Sequence, residues 1–356
     1  MPTPFETYSQ TYDPYWKTTR TSRGITYRYL SVPGSRPDLN LPTLVWLHGF
    51  PSSVYDWHHQ LDHFHSKGYA LIALDMLGYG GTDKPSEPSA YKRSLMTQDV
   101  IDVLDAEGVK RAVAIAHDWG CAVLSRLVDL YGDSDRFEGF AFLSVGYMPP
   151  NPNAATNFED ILDLMKKAFG KEVLAYWGFF SKPDAAKVIA DNFESFVDLL
   201  YADNSLENWG TWLMERGKTE EFVAGGKHLP RGKYITEEDG TVIRDHLIGP
   251  GRGMTGPLNW YKSATTGVLS ADDKEVVAKL GDKYPVKLSA AQPVLFLGTN
   301  LDPVCAPPRA LPPTEKVATD FTSANLDTSH WLMLEQPERV NAEIEKWLET
   351  KVQKKA

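Results

Sequence analysis

Short apolar runs alternate with amphipathic stretches from Gly24 to Val145. Gly24 to Val32 alternates with a period near two, which predicts a half-buried strand. Thr43 to Leu47 and Tyr69 to Leu74 are almost continuously apolar, the signature of strands covered on both faces. Helical spacing runs over Tyr55 to Ser66 and Ser94 to Glu107. A further apolar run ends at His117, a helical pattern follows from Ala122 to Leu130, and Phe140 to Val145 reads as the next strand. Strand and helix taking turns in this way predict an α/β fold: a mostly parallel, doubly wound sheet. Residues 1–23 read as an extended lead-in.

The alternation stops at Pro149. A Pro/Asn-rich stretch leads into helical patterns at Phe158 to Phe169, Ala185 to Tyr201 and Leu206 to Arg216. Gly225 to Gly256 reads as a long loop, and Asp272 to Lys287 as a charged linker with a helical piece. An apolar strand returns only at Pro293 to Leu297. A short strand near Val317 to Phe321 and a closing helix, Pro337 to Leu348, complete the chain. The expected division is a core in two parts, 1–147 and 269–356, with a helical cap, 148–268, inserted between them.

In an open α/β sheet, chemistry gathers at the carboxyl ends of the strands. Three such ends carry Asp118, Asp302 and His330, in the chain order nucleophile, acid, histidine. Asp118 stands at a strand–turn–helix junction, Ala116-His117-Asp118-Trp119-Gly120, with small residues on either side. A carboxylate there can attack carbon and form an ester; the alternative is an aspartate that caps the following helix. Asp302 alone is an ordinary turn residue before proline, and His330 alone an ordinary histidine. Together at these ends they point to catalysis. His48-Gly49-Phe50-Pro51, after another strand, is suited to aim a backbone N–H inward. The glycines from Gly78 to Gly81 are not followed by the Lys-Ser/Thr of a phosphate loop, so no nucleotide site is expected.

Charge narrows the range of partners. The 356 residues carry a formal net charge of -10, which argues against a nucleic-acid partner. The basic run Lys351 to Lys355 reads as a solvated helix end. Two cysteines, Cys121 and Cys305, make no disulfide framework and suggest a reducing, cytoplasmic setting. No apolar leader opens the sequence, no run reaches membrane-spanning length, and the ending Lys-Lys-Ala is not a peroxisomal tripeptide. Oligomeric state is left open.

From about Gly24 to the closing helix the sequence resembles the soluble epoxide hydrolase branch of the α/β-hydrolase family. The likeness rests on His48-Gly49-Phe50-Pro51, Asp75-Met76-Leu77-Gly78-Tyr79-Gly80, His117-Asp118-Trp119-Gly120, Gly298 to Asp302, and His330. Pro257-Leu258-Asn259-Trp260-Tyr261-Lys262 looks like the family's cap segment, and Tyr176 falls where the family keeps a second cap tyrosine. The resemblance implies hydrolysis of a small-molecule epoxide to a vicinal diol, without metal or organic cofactor. It implies Asp118 as nucleophile, His330 held by Asp302 as base, and Tyr176 and Tyr261 as proton donors that fail near their ordinary pKa of about 10. It further implies Phe50 and Trp119 as oxyanion donors, and His48, Pro51, His117, Trp177 and Trp331 around the substrate. Cys121 departs from the usual glycine but remains small, so the elbow is expected to tolerate it, with a narrower floor of the site as the alternative outcome. Haloalkane dehalogenases share part of these motifs, with Trp119 and Trp177 as possible halide donors. A weakly catalytic ligand receptor on the same scaffold is the other alternative.

Overall fold

The computed structural model describes residues 2–153 and 157–353. Part of the Pro/Asn-rich stretch, 154–156, and the last lysines of the tail, Lys354 and Lys355, lie outside the described residues.

Eight strands form one sheet: β1 (Trp16–Arg20), β2 (Thr26–Val32), β3 (Thr43–Leu47), β4 (Leu71–Leu74), β5 (Ala112–His117), β6 (Phe137–Leu143), β7 (Val294–Thr299) and β8 (Phe321–Leu326). Their order is β1-β2-β4-β3-β5-β6-β7-β8. β1 and β2 are antiparallel to their neighbours, and the pairs from β4 to β8 are parallel. Every residue of β5 and β7 is buried, as continuous apolar runs require. The parallel registers bring six carboxyl ends to one edge of the sheet, with Leu47 also paired to Leu74 at the end of β4. Leu47 pairs with Ala116, His117 with Leu143, Leu143 with Leu297, and Thr299 with Leu326. The residues that follow those ends therefore meet.

Between β6 and β7 the chain is helical, from Phe158–Phe169 to Val268–Leu280. Several stretches differ from the sequence expectation. The lead-in is a helix, Pro4–Tyr12, followed by β1; Thr3 and Glu6 form a capping box at its start, and proline occupies the first turn. The expected long loop contains a helix, Glu237–Ile248, opened by a second capping box, Thr236 with Asp239. The first helix is too polar to show an aliphatic stripe, and in the second the aliphatic residues Val242, Ile243, Leu247 and Ile248 are confined to the later half, so the clearer signal of both starts lay in the caps. Ala185 to Tyr201 is two helices broken at Asn192. The last strand starts later than expected, because Pro307–Val317 is helical despite Pro312 and Pro313. Its alternate residues are partly exposed and polar, which hid it as an apolar run.

The expected linker is instead the helix Val268–Leu280, tied to the core by charge. Asp273 accepts from Arg93 at 2.8 Å, from Arg126 at 2.7 Å and from the Asn151 N–H at 2.9 Å. Arg126 is fully buried and also binds Asp129 at 2.5 Å, while Tyr147 donates to Asp129 at 2.6 Å. Asp272 accepts from the backbone and hydroxyl of Ser94. Removing one partner from such a network strands the others in a low dielectric. Asp273→Ala should therefore lower unfolding stability by about 3–5 kcal/mol, read from the denaturant midpoint at unchanged slope. A loss below about 1 kcal/mol, the range of exposed pairs, would contradict this account of the cluster.

Candidate active site

Asp118 sits between β5 and the helix Trp119–Tyr131 with φ 50° and ψ -125°. A positive φ is uncommon for a residue with a side chain and is held only where the surroundings leave no other choice. Here the constraint is crowding by backbone. A Cβ on Gly120 would lie 2.2 Å from the Leu47 carbonyl oxygen, and one on Gly49 would lie 2.4 Å from Asp118 Oδ1. β3, the elbow and the helix thus close on each other through two residues that lack side chains. Asp118 does not cap the helix through its side chain. Its Oδ1 accepts from the Phe50 N–H at 2.8 Å, and the Trp119 N–H also favours its ionised form.

His330 follows β8 and places Nε2 3.6 Å from Asp118 Oδ2. Its Nδ1 lies 2.6 Å from Asp302 Oδ2. Asp302 Oδ1 is held by the N–H groups of Val304 at 2.8 Å and Cys305 at 2.9 Å. Burial opposes charge on His330, but the Asp302 carboxylate and hydrogen bonds to Asp118, Asp302 and Cys305 hold its pKa well above the usual histidine value. Burial likewise raises both carboxylates, and the His330 charge and hydrogen bonds more than offset it, leaving Asp118 and Asp302 below the ordinary range. All three shifts favour the charged forms, an imidazolium between two carboxylates.

Tyr176 opens the helix Tyr176–Phe180, and Tyr261 lies in Thr255–Thr265. Their rings meet at 5.8 Å and face a cavity of about 30 Å³ that Asp118, His330, Phe50, Pro51 and Trp331 also line. Burial pushes both phenols well above their ordinary pKa, so both keep their protons beyond pH 10. The alkaline loss expected near that value moves higher. A second cavity, of about 180 Å³, meets the first at Asp118 and Tyr176 and is bounded by Trp119, Met148, Leu174 and Trp177.

Two expected pocket residues are not in either wall. His48 is fully buried, accepting from the Met76 N–H at 3.0 Å with Nδ1 beside the Gly49 carbonyl. His117 turns its Nε2 to the His330 carbonyl at 2.9 Å. Both brace the loops behind the site, and burial lowers them to about 4 and about 3. Cys121 does not narrow the floor: its thiol points back to the Ala116 carbonyl at 3.2 Å, and it lines neither cavity.

Two neighbours of the acid–base pair went unnoticed in the sequence. Ser144 follows β6 at φ 63°, and its hydroxyl lies 3.2 Å from both Asp302 Oδ2 and His330 Nδ1 and 3.1 Å from Thr299 Oγ1. Its place after a strand end was the available signal. Cys305 lines both cavities, with its sulfur within 4.8 Å of an Asp302 carboxylate oxygen and a His330 ring nitrogen; only the turn after Asp302 brings it there, and no spacing announces it.

The sequence pattern of the alpha/beta hydrolase fold matches residues 42–182. A protein of Siraitia grosvenorii named epoxide hydrolase 2 is 30% identical over 273 residues, covering 74% of this chain and 78% of its own. The mouse bifunctional epoxide hydrolase 2 is 26% identical over 313 residues, covering 88% of this chain and 52% of its own. The chain thus spans about half the length of the mouse relative. The crystal structure of epoxide hydrolase A from Mycobacterium thermoresistibile superposes with a TM-score of 0.72 at 25% identity, covering 94% of this chain and 98% of that one.

The electrostatics can be read directly. Imidazole nitrogen NMR should find His330 doubly protonated at neutral pH while His48 and His117 stay neutral. Asp302→Asn should draw His330 down toward its ordinary value of about 6.5. An unchanged His330 titration in that variant would remove Asp302 as the source of the charge stabilisation.

Proposed function

The chain belongs to the epoxide hydrolase branch of the α/β-hydrolase family, and from that membership we propose that it adds water to an epoxide through a covalent ester of Asp118. The observation that carries this reading is one cavity with an ionised carboxylate on one wall and two proton-bearing phenols on the other. An epoxide carbon facing Asp118 and a ring oxygen facing Tyr176 and Tyr261 satisfy both walls at once. The core, 1–147 and 269–356, supplies the nucleophile and base, and the cap, 148–268, supplies the phenols. Two free thiols suit a cytoplasmic setting.

In the first step Asp118 forms a C–O bond to the substrate as the ring C–O bond breaks, and a phenol donates its proton to the departing alkoxide. The Phe50 N–H, already on Oδ1, keeps the other carboxylate oxygen directed at the carbon. Esterification removes the negative charge of Asp118. His330 then faces one carboxylate rather than two, its pKa falls, and the proton it sheds restores the spent phenol and leaves a base poised for water. Water adds to the Asp118 carbonyl carbon as His330 takes its proton, and the Phe50 and Trp119 N–H groups stabilise the oxyanion. The acyl–oxygen bond breaks, releasing the diol and leaving a solvent oxygen on Asp118. No step needs a metal or organic cofactor. Halide departure from a haloalkane needs no proton, so it gives the paired phenols no task.

Two experiments test the steps separately. Loss of one donor to a developing oxyanion costs about 2–4 kcal/mol, and about 1.36 kcal/mol is tenfold in rate. Tyr176→Phe or Tyr261→Phe should therefore slow pre-steady-state alkylation by roughly one to three decades, with the double variant slower than either. Wild-type alkylation by the double variant would return both tyrosines to packing and favour the dehalogenase.

His330→Gln should allow the first step and block the second. Intact-protein mass spectrometry should then find a species heavier by one substrate mass, with the addition on Asp118. Sustained turnover by that variant would exclude His330 as the base.

A further inference from the structure

Three donors of different chemistry converge beside the nucleophile. One carboxylate oxygen of Asp302, the Cys305 sulfur and a ring nitrogen of His330 all lie within 4.8 Å of one another. Carboxylate, thiolate and imidazole are the ligand types that a zinc-group ion takes, at about 2.0–2.3 Å each. A tetrahedral ion with such bonds sets its ligand atoms about 3.3–3.8 Å apart, so Asp302 Oδ2 and His330 Nδ1, now 2.6 Å apart, must part by under about an ångström while the Cys305 sulfur draws in.

The surroundings favour that adjustment over a random meeting of side chains. Asp302 is anchored through its other oxygen to the N–H groups of Val304 and Cys305, which leaves Oδ2 to face inward. Ser144 stands 3.2 Å from both Asp302 Oδ2 and His330 Nδ1, an outer partner of the kind that orients metal ligands. Cys305 and His330 line the cavity, so an ion has an entry path and a fourth position open to water. The reaction proposed above gives Cys305 no part.

We infer that Asp302, Cys305 and His330 form an inhibitory site for a thiophilic divalent ion of the zinc group. Binding is a ligand exchange without redox change: the metal gains three bonds, and the thiol proton and one imidazolium proton pass to solvent. A coordinated thiol is deprotonated by the metal itself, so the protonated resting state of Cys305, raised to about 12 by burial and the Asp302 charge, is no bar. With His330 engaged as a ligand, the ester has no base.

Cadmium alone, added to the full chain, is the probe, because cadmium–thiolate bonds absorb in the near ultraviolet independently of turnover. One equivalent should raise that band, stop turnover of an epoxide, and be reversed by EDTA. Outer partners alone change metal affinity by about 10–100-fold, so Cys305→Ser should abolish the band and weaken cadmium binding by more than about a hundredfold. Calorimetry on the same variant, with its melting curve, establishes that it is folded. Equal affinity in folded Cys305→Ser, or inhibition of the wild type without a thiolate band, would overturn the site. The inhibition arm rests on the reading of His330 as base, whereas the binding arm does not. Stoichiometric binding that leaves turnover intact would support the metal site and overturn that role for His330.

Discussion

The close approach of β3 to the turn at Asp118 is the constraint on which the site depends. Only glycine fits at positions 49 and 120, because a Cβ at either would fall on the Asp118 carboxylate or the Leu47 carbonyl. That closeness turns the Phe50 N–H onto Oδ1 and holds Asp118 in a backbone conformation it would not adopt alone. The Asp118 carboxylate is consequently aimed by the main chain, with little freedom left to its side chain. The single Cβ separating glycine from alanine at these two positions decides whether strand, turn and helix can occupy one plane.

Electrostatics complete what packing begins. A buried imidazolium costs a great deal of solvation, and the carboxylates at 2.6 and 3.6 Å from the His330 ring favour it here against that cost. The arrangement is balanced only while both carboxylates are charged. Under the proposed mechanism, esterification of Asp118 would remove one of the two negative charges and so lower the proton affinity of His330. Ser144 and the backbone of Val304 and Cys305 keep Asp302 fixed throughout, so the change falls on the histidine.

Much of this was readable from the chain. Apolar runs located the central strands, because strands covered on both faces tolerate little else, and strand ends located Asp118, Asp302 and His330. What escaped had a physical reason in each case. The starts of the first helix and of Glu237–Ile248 are marked more clearly by capping boxes than by apolar stripes. β8 is an edge strand whose polar residues meet solvent. His48 and His117 resembled pocket residues because motif position does not reveal which way a ring turns, and both turn to backbone. Ser144 and Cys305 matter through distances that only the folded sheet creates.

The order of strands has a consequence for how the protein comes into being on the ribosome. β5 and β6 are made early, whereas their partner β7 emerges only after the whole helical insertion between Leu143 and Val294. Loop closure over so long a segment is tolerable in free energy, since each doubling of length adds only about 0.6 kcal/mol. It delays in time what it permits in energy. A nascent chain that has folded through β6 already presents Asp118, but Asp302 and His330 do not yet exist beside it. Under the proposed mechanism a carboxylate without its base would be esterified and not released, so the interval before β7 and β8 dock would expose the unfinished molecule to arrest by an electrophile.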